Sequence, residues 1–446
     1  MMRRIGPSSP LTRATRRGLV RRRRARRRGM AIILVLGALT LLTILLTEIQ
    51  DESSADLAGA LQARDALVAE YAARSAVNLS RLLIASEPTL RKGLGFMALM
   101  FGGAIPQIPV WQLGDTVLAP FNNPAAAESF QSFSGLDLTR GQNLGLPGAT
   151  FDLKIVDEDS KINVNAAANP FVQIRLSNML MALMAGPQYD PLFERRDRDG
   201  NFSDRRAICA ALCDWVDSAD ATTALCDPTS QTNQQMPAED SYYERLDRPY
   251  QRRNAPFDSL EEMRRVRGMG DDFWSTFIDP DPDDPSKRRV TVWGSADKIN
   301  INTAPPASLL VLICYMASVS NAAVIPKVCS DLTEAQKFLT MVGFAKSMMA
   351  GIPAFGSPGV FAAALQGNAQ EPLKSLIMML GLEPIPLDPG LLKQLVTTES
   401  KVFSVYVTGV VKSGKRETRV KVHAVVDFRA APPPGMPTVP PQLAAA

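Results

Sequence analysis

Histidine is nearly absent from this chain of 446 residues: His423 stands alone, between Val422 and Ala424 in an alternating stretch. There is also no Gly-x-Ser-x-Gly and no phosphate-cradling glycine loop. These gaps remove nucleophile–histidine pairs and P-loop chemistry, so an enzyme would have to run on carboxylates alone, and no pattern points to one. Cysteine is scarce: Cys209, Cys213, Cys226, Cys314 and Cys329. A thiolate zinc site at the first three lacks a fourth ligand nearby. That leaves a disulfide within Cys209, Cys213 and Cys226 and another between Cys314 and Cys329, or else buried thiols; disulfides require the body to lie outside the cytosol.

Acid is missing from residues 1–29, which hold twelve arginines. The 49 lysines and arginines less those twelve leave 37 against 45 acidic residues from Met30 onward, so the body carries about −8 beside a cationic leader. A basic start on an acidic body fits a topology signal better than a nucleic-acid-binding protein. Acid is missing again from Met30 to Thr47. In "RRRRARRRGMAIILVLGALTLLTILLTEIQ" the run Met30–Leu46 is 17 residues long, close to the roughly 20 that cross a bilayer. The arginines hold its N-terminal side in the cytoplasm. A cleaved secretory peptide would need a small-x-small site after the run, and "TEIQDESSADLAG" offers no good one.

Proline is absent between Met30 and Pro88, which predicts one long helix through the apolar run and beyond. Leu57, Leu61, Val68, Ala72, Leu79 and Leu82 recur at helical spacing and form the face expected to pack on the protein's own globular part. Residues 88–148 are rich in glycine and proline and read as irregular. "ATFDLKIVDEDSKINVN" predicts a strand pair, Phe151, Leu153 and Ile155 alternating before an acidic turn at Asp157–Ser160, then Ile162 and Val164. From about Pro170 to Gly390 the chain reads as helical. "KVFSVYVTGVVKSGKRETRVKVHAVVDF" predicts a hairpin around Ser413-Gly414-Lys415, and a disordered Pro- and Ala-rich tail follows. The fold class is therefore α+β: a long helix on an antiparallel sheet that carries a large helical insertion. The expected divisions are a leader (1–29), a membrane segment (30–47), a stem (48–87), a loop with first strands (88–169), the insertion (170–395), a terminal hairpin (396–430) and the tail (431–446).

Within the insertion, "SLEEMRRVRGMGDDF" joins a predicted amphipathic helix to Gly268-Met269-Gly270, and "KININTAPPASLLVL" opens another helix; both resemble halves of helix-hairpin-helix or SAM-like modules. Asp271 and Asp272 beside the glycines oppose phosphate binding. Asp214, Asp217, Asp220, Asp227, Glu239 and Asp240 supply hard oxygen ligands suited to calcium. "DRDGNFSD" (Asp197, Asp199, Asn201, Asp204) lacks full EF-hand spacing, and "DPDPDD" at 279–284 reads as a solvated loop.

A basic leader ending in glycine, then a methionine opening an apolar helix, resembles type IV pilins and type II secretion pseudopilins. The resemblance implies that prepilin peptidase cuts between Gly29 and Met30 and that Met30 is N-methylated. Most such chains carry glutamate at the fifth mature position, and here Leu34 stands there. A carboxylate in the bilayer is costly without a partner, so its absence suggests a subunit with none above it, the habit of minor pseudopilin K. "DWVDSADATT", "AEDSYYERLDRPYQRRNAPFDSLEEMRRVRGM" and "KININTAPPASLLVL", in that order, are similar to segments of the K family. Membership implies a pilin-like fold, a single-pass inner-membrane anchor with a periplasmic body, a structural calcium, and a non-enzymatic place at the pseudopilus tip. The implied partners are I- and J-type minor pseudopilins, the major pseudopilin and prepilin peptidase, with no nucleic acid or small-molecule substrate. The alternatives are a membrane-anchored DNA-uptake protein using helix-hairpin-helix modules and a membrane-anchored hydrolase.

Overall fold

The computed structural model describes residues 12–93, 106–135, 137–196, 203–217, 242–295, 298–320, 325–348, 353–369, 371 and 373–431, with side chains from Met30 onward. The proline-rich segment 432–446 lies outside them. The chain divides into two compact units, Met1–Val68 and Ala69–Ala446. One helix, α1 (Thr12–Gly93), contributes to both and runs one turn past Pro88.

In the first unit every residue from Met30 to Ala60 is exposed. The threonine hydroxyls of this stretch turn back on the helix: Thr40 donates to the Gly37 carbonyl at 2.9 Å and Thr43 to Thr40 at 2.8 Å. Side-chain polarity is thereby satisfied internally, as an apolar solvent requires.

The second unit holds seven described strands: β1 (Ala149–Asp157), β2 (Ile162–Asn163), β3 (Val290–Thr291), β4 (Ile299–Asn300), β5 (Val396–Thr397), β6 (Val402–Ser413) and β7 (Arg416–Asp427). β1, β6 and β7 form an antiparallel sheet in that order, and Gly414 at φ +64° makes the tight β6–β7 turn. Phe151, Leu153 and Ile155 of β1 share one core with Phe403, Val405 and Val407 of β6, and with Ala73, Ala76 and Ile84 of α1.

Two expectations need correction here. The stripe of α1 that packs is mostly small (Ala69, Ala72, Ala73, Ala76 and Ser80), while Leu57 and Leu82 are exposed. The cause lies at Gly409: a Cβ there would sit 1.9 Å from the Ala69 carbonyl oxygen, so helix and sheet backbones touch and only small side chains fit between them. Second, β1 and β2 are not a hairpin pair. β1 pairs with β6, and β2 pairs in parallel with β3, because Glu158–Ser160 forms a buried 3₁₀ turn rather than a reversal. The glycine- and proline-rich stretch is also partly ordered: Pro124–Ser134 is helical, capped by Asn123 and ended by Gly135 at φ +74°.

The insertion is a tandem repeat. Lys161-Ile162-Asn163-Val164-Asn165 leads through β2 into α2 (Pro170–Met184), and Lys298-Ile299-Asn300-Ile301-Asn302 leads through β4 into α4 (Pro306–Ser320). Asn165 makes three amide hydrogen bonds, two of them with the backbone N–H and C=O of Phe257; Asn302 brackets Phe355 in the same way. Each module closes with a Val-Thr strand, β3 on β2 and β5 on β4, both in parallel. α2 packs with α3 (Arg205–Val216), and α4 with α5 (Leu332–Met348).

Candidate functional site

The anchor is the first element to weigh. Gly29 and Met30 lie within α1, and Met30–Gly93 is the described helix long and apolar enough to cross a membrane. Leu34 is 70% exposed, and no acid precedes Glu48 in the apolar run.

Where the sheet meets the insertion, the supposed acidic turn is a buried carboxylate junction. Asp157 Oδ1 accepts from the Asp159 N–H at 2.9 Å, while Oδ2 accepts from the hydroxyls of Thr303 and Ser400. Burial, followed by the Asp159 charge, pushes its carboxyl up to about 7. Asp159 Oδ1 takes the Ser295 N–H at 2.5 Å, and Oδ2 takes the N–H groups of Lys401 and Val402 at 2.6 and 3.1 Å. Glu158 pairs with Lys161 at 3.0 Å and accepts from Thr291 at 2.5 Å. Burial works against its ionised form, but these partners outweigh it and hold the carboxyl below the usual range. Three consecutive acidic side chains thus tie β1 to both modules and to the start of β6. Neither spacing nor composition hints at this junction.

The expected calcium ligands are only partly described. Asp214, at the end of α3, is raised to about 6 by burial and by Asp217, against the opposing pull of Arg252. Asp217 is raised by burial, and its Oδ1 is buried without a hydrogen-bond partner. An orphaned carboxylate oxygen beside a second acid suits a hard cation. Asp220, Asp227, Glu239 and Asp240 lie outside the described residues, as do Asp197, Asp199 and Asn201; Asp204 caps α3 through the Ala207 N–H at 2.7 Å. Among the described residues no group of three or more metal-ligating side chains converges.

The cysteines divide. Cys314 and Cys329 are joined, with Cα atoms 5.5 Å apart. Cys213 is also disulfide-bonded, while Cys226 lies outside the described residues. Cys209 is not a disulfide partner: its thiol is buried on α3 and donates to the Ser177 carbonyl at 3.9 Å. "DPDPDD" is also not merely solvated. Asp279 is bidentate to Arg288 at 2.9 and 2.8 Å, Asp281 meets Lys287 at 2.7 Å, and Asp284 meets Lys154 of β1 at 2.5 Å.

The glycine loop is flanked by acid and not by the expected helix. Leu260–Arg265 is a 3₁₀ turn instead of an amphipathic α-helix, and Asp271, with its side chain 97% exposed, and Asp272 project beside Gly270. His423 stacks on Tyr406 with ring centroids 4.3 Å apart, and burial lowers its basicity.

Comparison with known proteins adds one family. Residues 160–276 match the family described as type II secretion system (T2SS), protein K. Among solved structures, the chain is similar to one in the crystal structure of the GspK-GspI-GspJ complex from the enterotoxigenic Escherichia coli type 2 secretion system. The identity is 18% and the TM-score 0.34, over 63% of this chain and 81% of that one. No curated protein matches.

Proposed function

We propose that this chain, whose residues 160–276 match the type II secretion system protein K family, is the minor pseudopilin that starts or caps the periplasmic pseudopilus and so supports protein export. The observation that carries this is a single helix, bare and apolar from Met30 to Leu46 and packed on an antiparallel sheet from Ala69 onward. A filament subunit needs both parts: one to sit in the membrane and later among other stems, the other to hold a head. Leu34 supports the tip position, since it offers no carboxylate to a preceding subunit's N-terminus. The two modules between β1 and β6 add bulk that would block a further subunit above. The partners are I- and J-type minor pseudopilins and the major pseudopilin, the anchor is in the inner membrane, and the body is periplasmic. The role is structural and non-enzymatic.

Maturation provides the test. Prepilin peptidase should leave an N-methylated Met30, and Gly29→Val should keep the leader attached. Mass spectrometry of the membrane-bound protein reads both; a Met30 N-terminus in a strain without the peptidase would overturn the proposal. As a second part of it, Asp214 and Asp217 hold a structural calcium with Asp220, Asp227, Glu239 and Asp240. Calcium at about a hundred times its Kd should then add about 2.7 kcal/mol to stability, and Asp217→Asn should abolish that gain. An unchanged melting temperature on chelation removes the metal from the proposal.

A further inference from the structure

Between the β1 edge and the second module lies a cleft of about 640 Å³, lined by Leu153 and Ile155, by Pro109 and Trp111, and by Pro305, Pro306 and Pro353. That volume falls within the usual range of pockets that take a drug-sized ligand or a short peptide. Its walls are mostly apolar, but two of its polar groups lack acceptors. Trp111 Nε1 is buried with no hydrogen-bond partner. Lys346 projects from α5, and its ammonium, which has three protons to donate, gives one to the Ala304 carbonyl. The other lysines of the cleft are already neutralised, Lys154 by Asp284 at 2.5 Å and Lys287 by Asp281 at 2.7 Å. Asp115 is the one lining carboxylate, and it is exposed. The nearby Asp157 carboxylate already accepts from Thr303, Ser400 and Asp159, so it does not serve as the missing acceptor.

Among the described residues no carboxylate forms an ion pair with Lys346, although the Asp157 charge acts on it, and buried donors left unpaired call for an explanation. We propose that this cleft docks a short, extended, carboxylate-bearing peptide segment of a partner protein, the carboxylate taking the free protons of Lys346. An extended chain also lays apolar side chains against the prolines. Aromatic- and proline-lined grooves favour such low-entropy extended ligands. Burial lowers Lys346 to about 7 against the pull of the Asp157 charge, and a bound carboxylate would raise it again. The site is separate from the membrane helix, so it stands or falls independently of the proposed place at the tip.

The test is calorimetric titration of the full chain, in detergent, with two capped pentapeptides, Pro-Leu-Pro-Leu-Asp and its Asn counterpart. The Asp peptide should bind about tenfold more tightly, equivalent to about 1.4 kcal/mol. Lys346→Met should remove that preference while keeping residual binding of both peptides, and Lys346→Arg should retain it. Should the methionine variant not melt cooperatively, Lys346→Gln makes the same comparison. Equal binding of the two peptides to the native chain, an undiminished preference without the lysine, or no saturation by either peptide at millimolar concentration each overturns the proposal.

Discussion

At Asp157 one side chain holds three parts of the fold, reaching Thr303 in the second module and Ser400 just before β6 from the end of β1. Its carboxyl is raised from an ordinary 3.8 to about 7, first by burial and then by Asp159. Between those values the folded chain keeps a proton that the unfolded chain has released. The contribution of this group to stability is therefore complete at low pH and fades as pH rises through 7. Asp159 is raised too, by burial, and adds to the same trend; Lys346, brought down to about 7, takes effect above that window. Asp157→Asn should flatten the dependence of unfolding free energy on pH between 5 and 7, by up to about 1.4 kcal/mol per pH unit. Urea midpoints at three pH values measure the slope, and an unaltered slope would show that Asp157 ionises normally in the folded chain. The burial of this carboxyl was invisible in the sequence, because Asp-Glu-Asp-Ser has the composition of a solvated turn. What holds it there is largely tertiary: the hydroxyls of Thr303 and Ser400, 146 and 243 residues away.

Among the elements, those set by long, unbroken local patterns were legible and those set by distant partners were not. α1 and the β6–β7 hairpin follow directly from continuous helix formers and from alternation around Ser413-Gly414-Lys415. The packing face of α1 is only partly legible: Ala72 is buried and Leu79 packs on the core, but Leu57 and Leu82 are exposed, since hydrophobicity favours leucine while contact at Gly409 demands alanine. β2 to β5 are two residues each, too short for any period to register, and each pairs with the far end of its own module. Their repeat was nevertheless written in the sequence, in Lys-Ile-Asn-Val-Asn and Lys-Ile-Asn-Ile-Asn, as identity rather than periodicity. Within the second module, α4 is stapled to the short helix Lys327–Ser330 by Cys314–Cys329, which closes a loop of 15 residues. A loop of that length is worth about 3 kcal/mol. Replacing both cysteines by serine should lower the unfolding free energy by about that amount in a denaturant titration; a loss below about 0.5 kcal/mol would mean that packing alone fixes α4.

At the scale of the whole molecule, the chain separates solvents. From Met30 to Ala60 every residue is exposed, including Ile33, Leu34, Leu41 and Ile44, each more than half bare. In water such a surface would drive association, since contiguous apolar patches of this extent are rare on soluble monomers. The helix Met30–Gly93 is long and apolar enough to cross a bilayer, the solvent that the proposed anchor would have. The head has its own cores, one beneath the sheet and one within the modules. Because the exposed helix buries nothing, deleting residues 1–47 should move the protein from the membrane to the soluble fraction and leave its melting temperature within about 2 °C, since nearly all the buried apolar surface remains. Cell fractionation and a thermal melt together decide it. A soluble but unfolded product would mean that the anchor helps the head to fold, and a folded product that stayed with the membrane would place a second membrane-binding surface on the head.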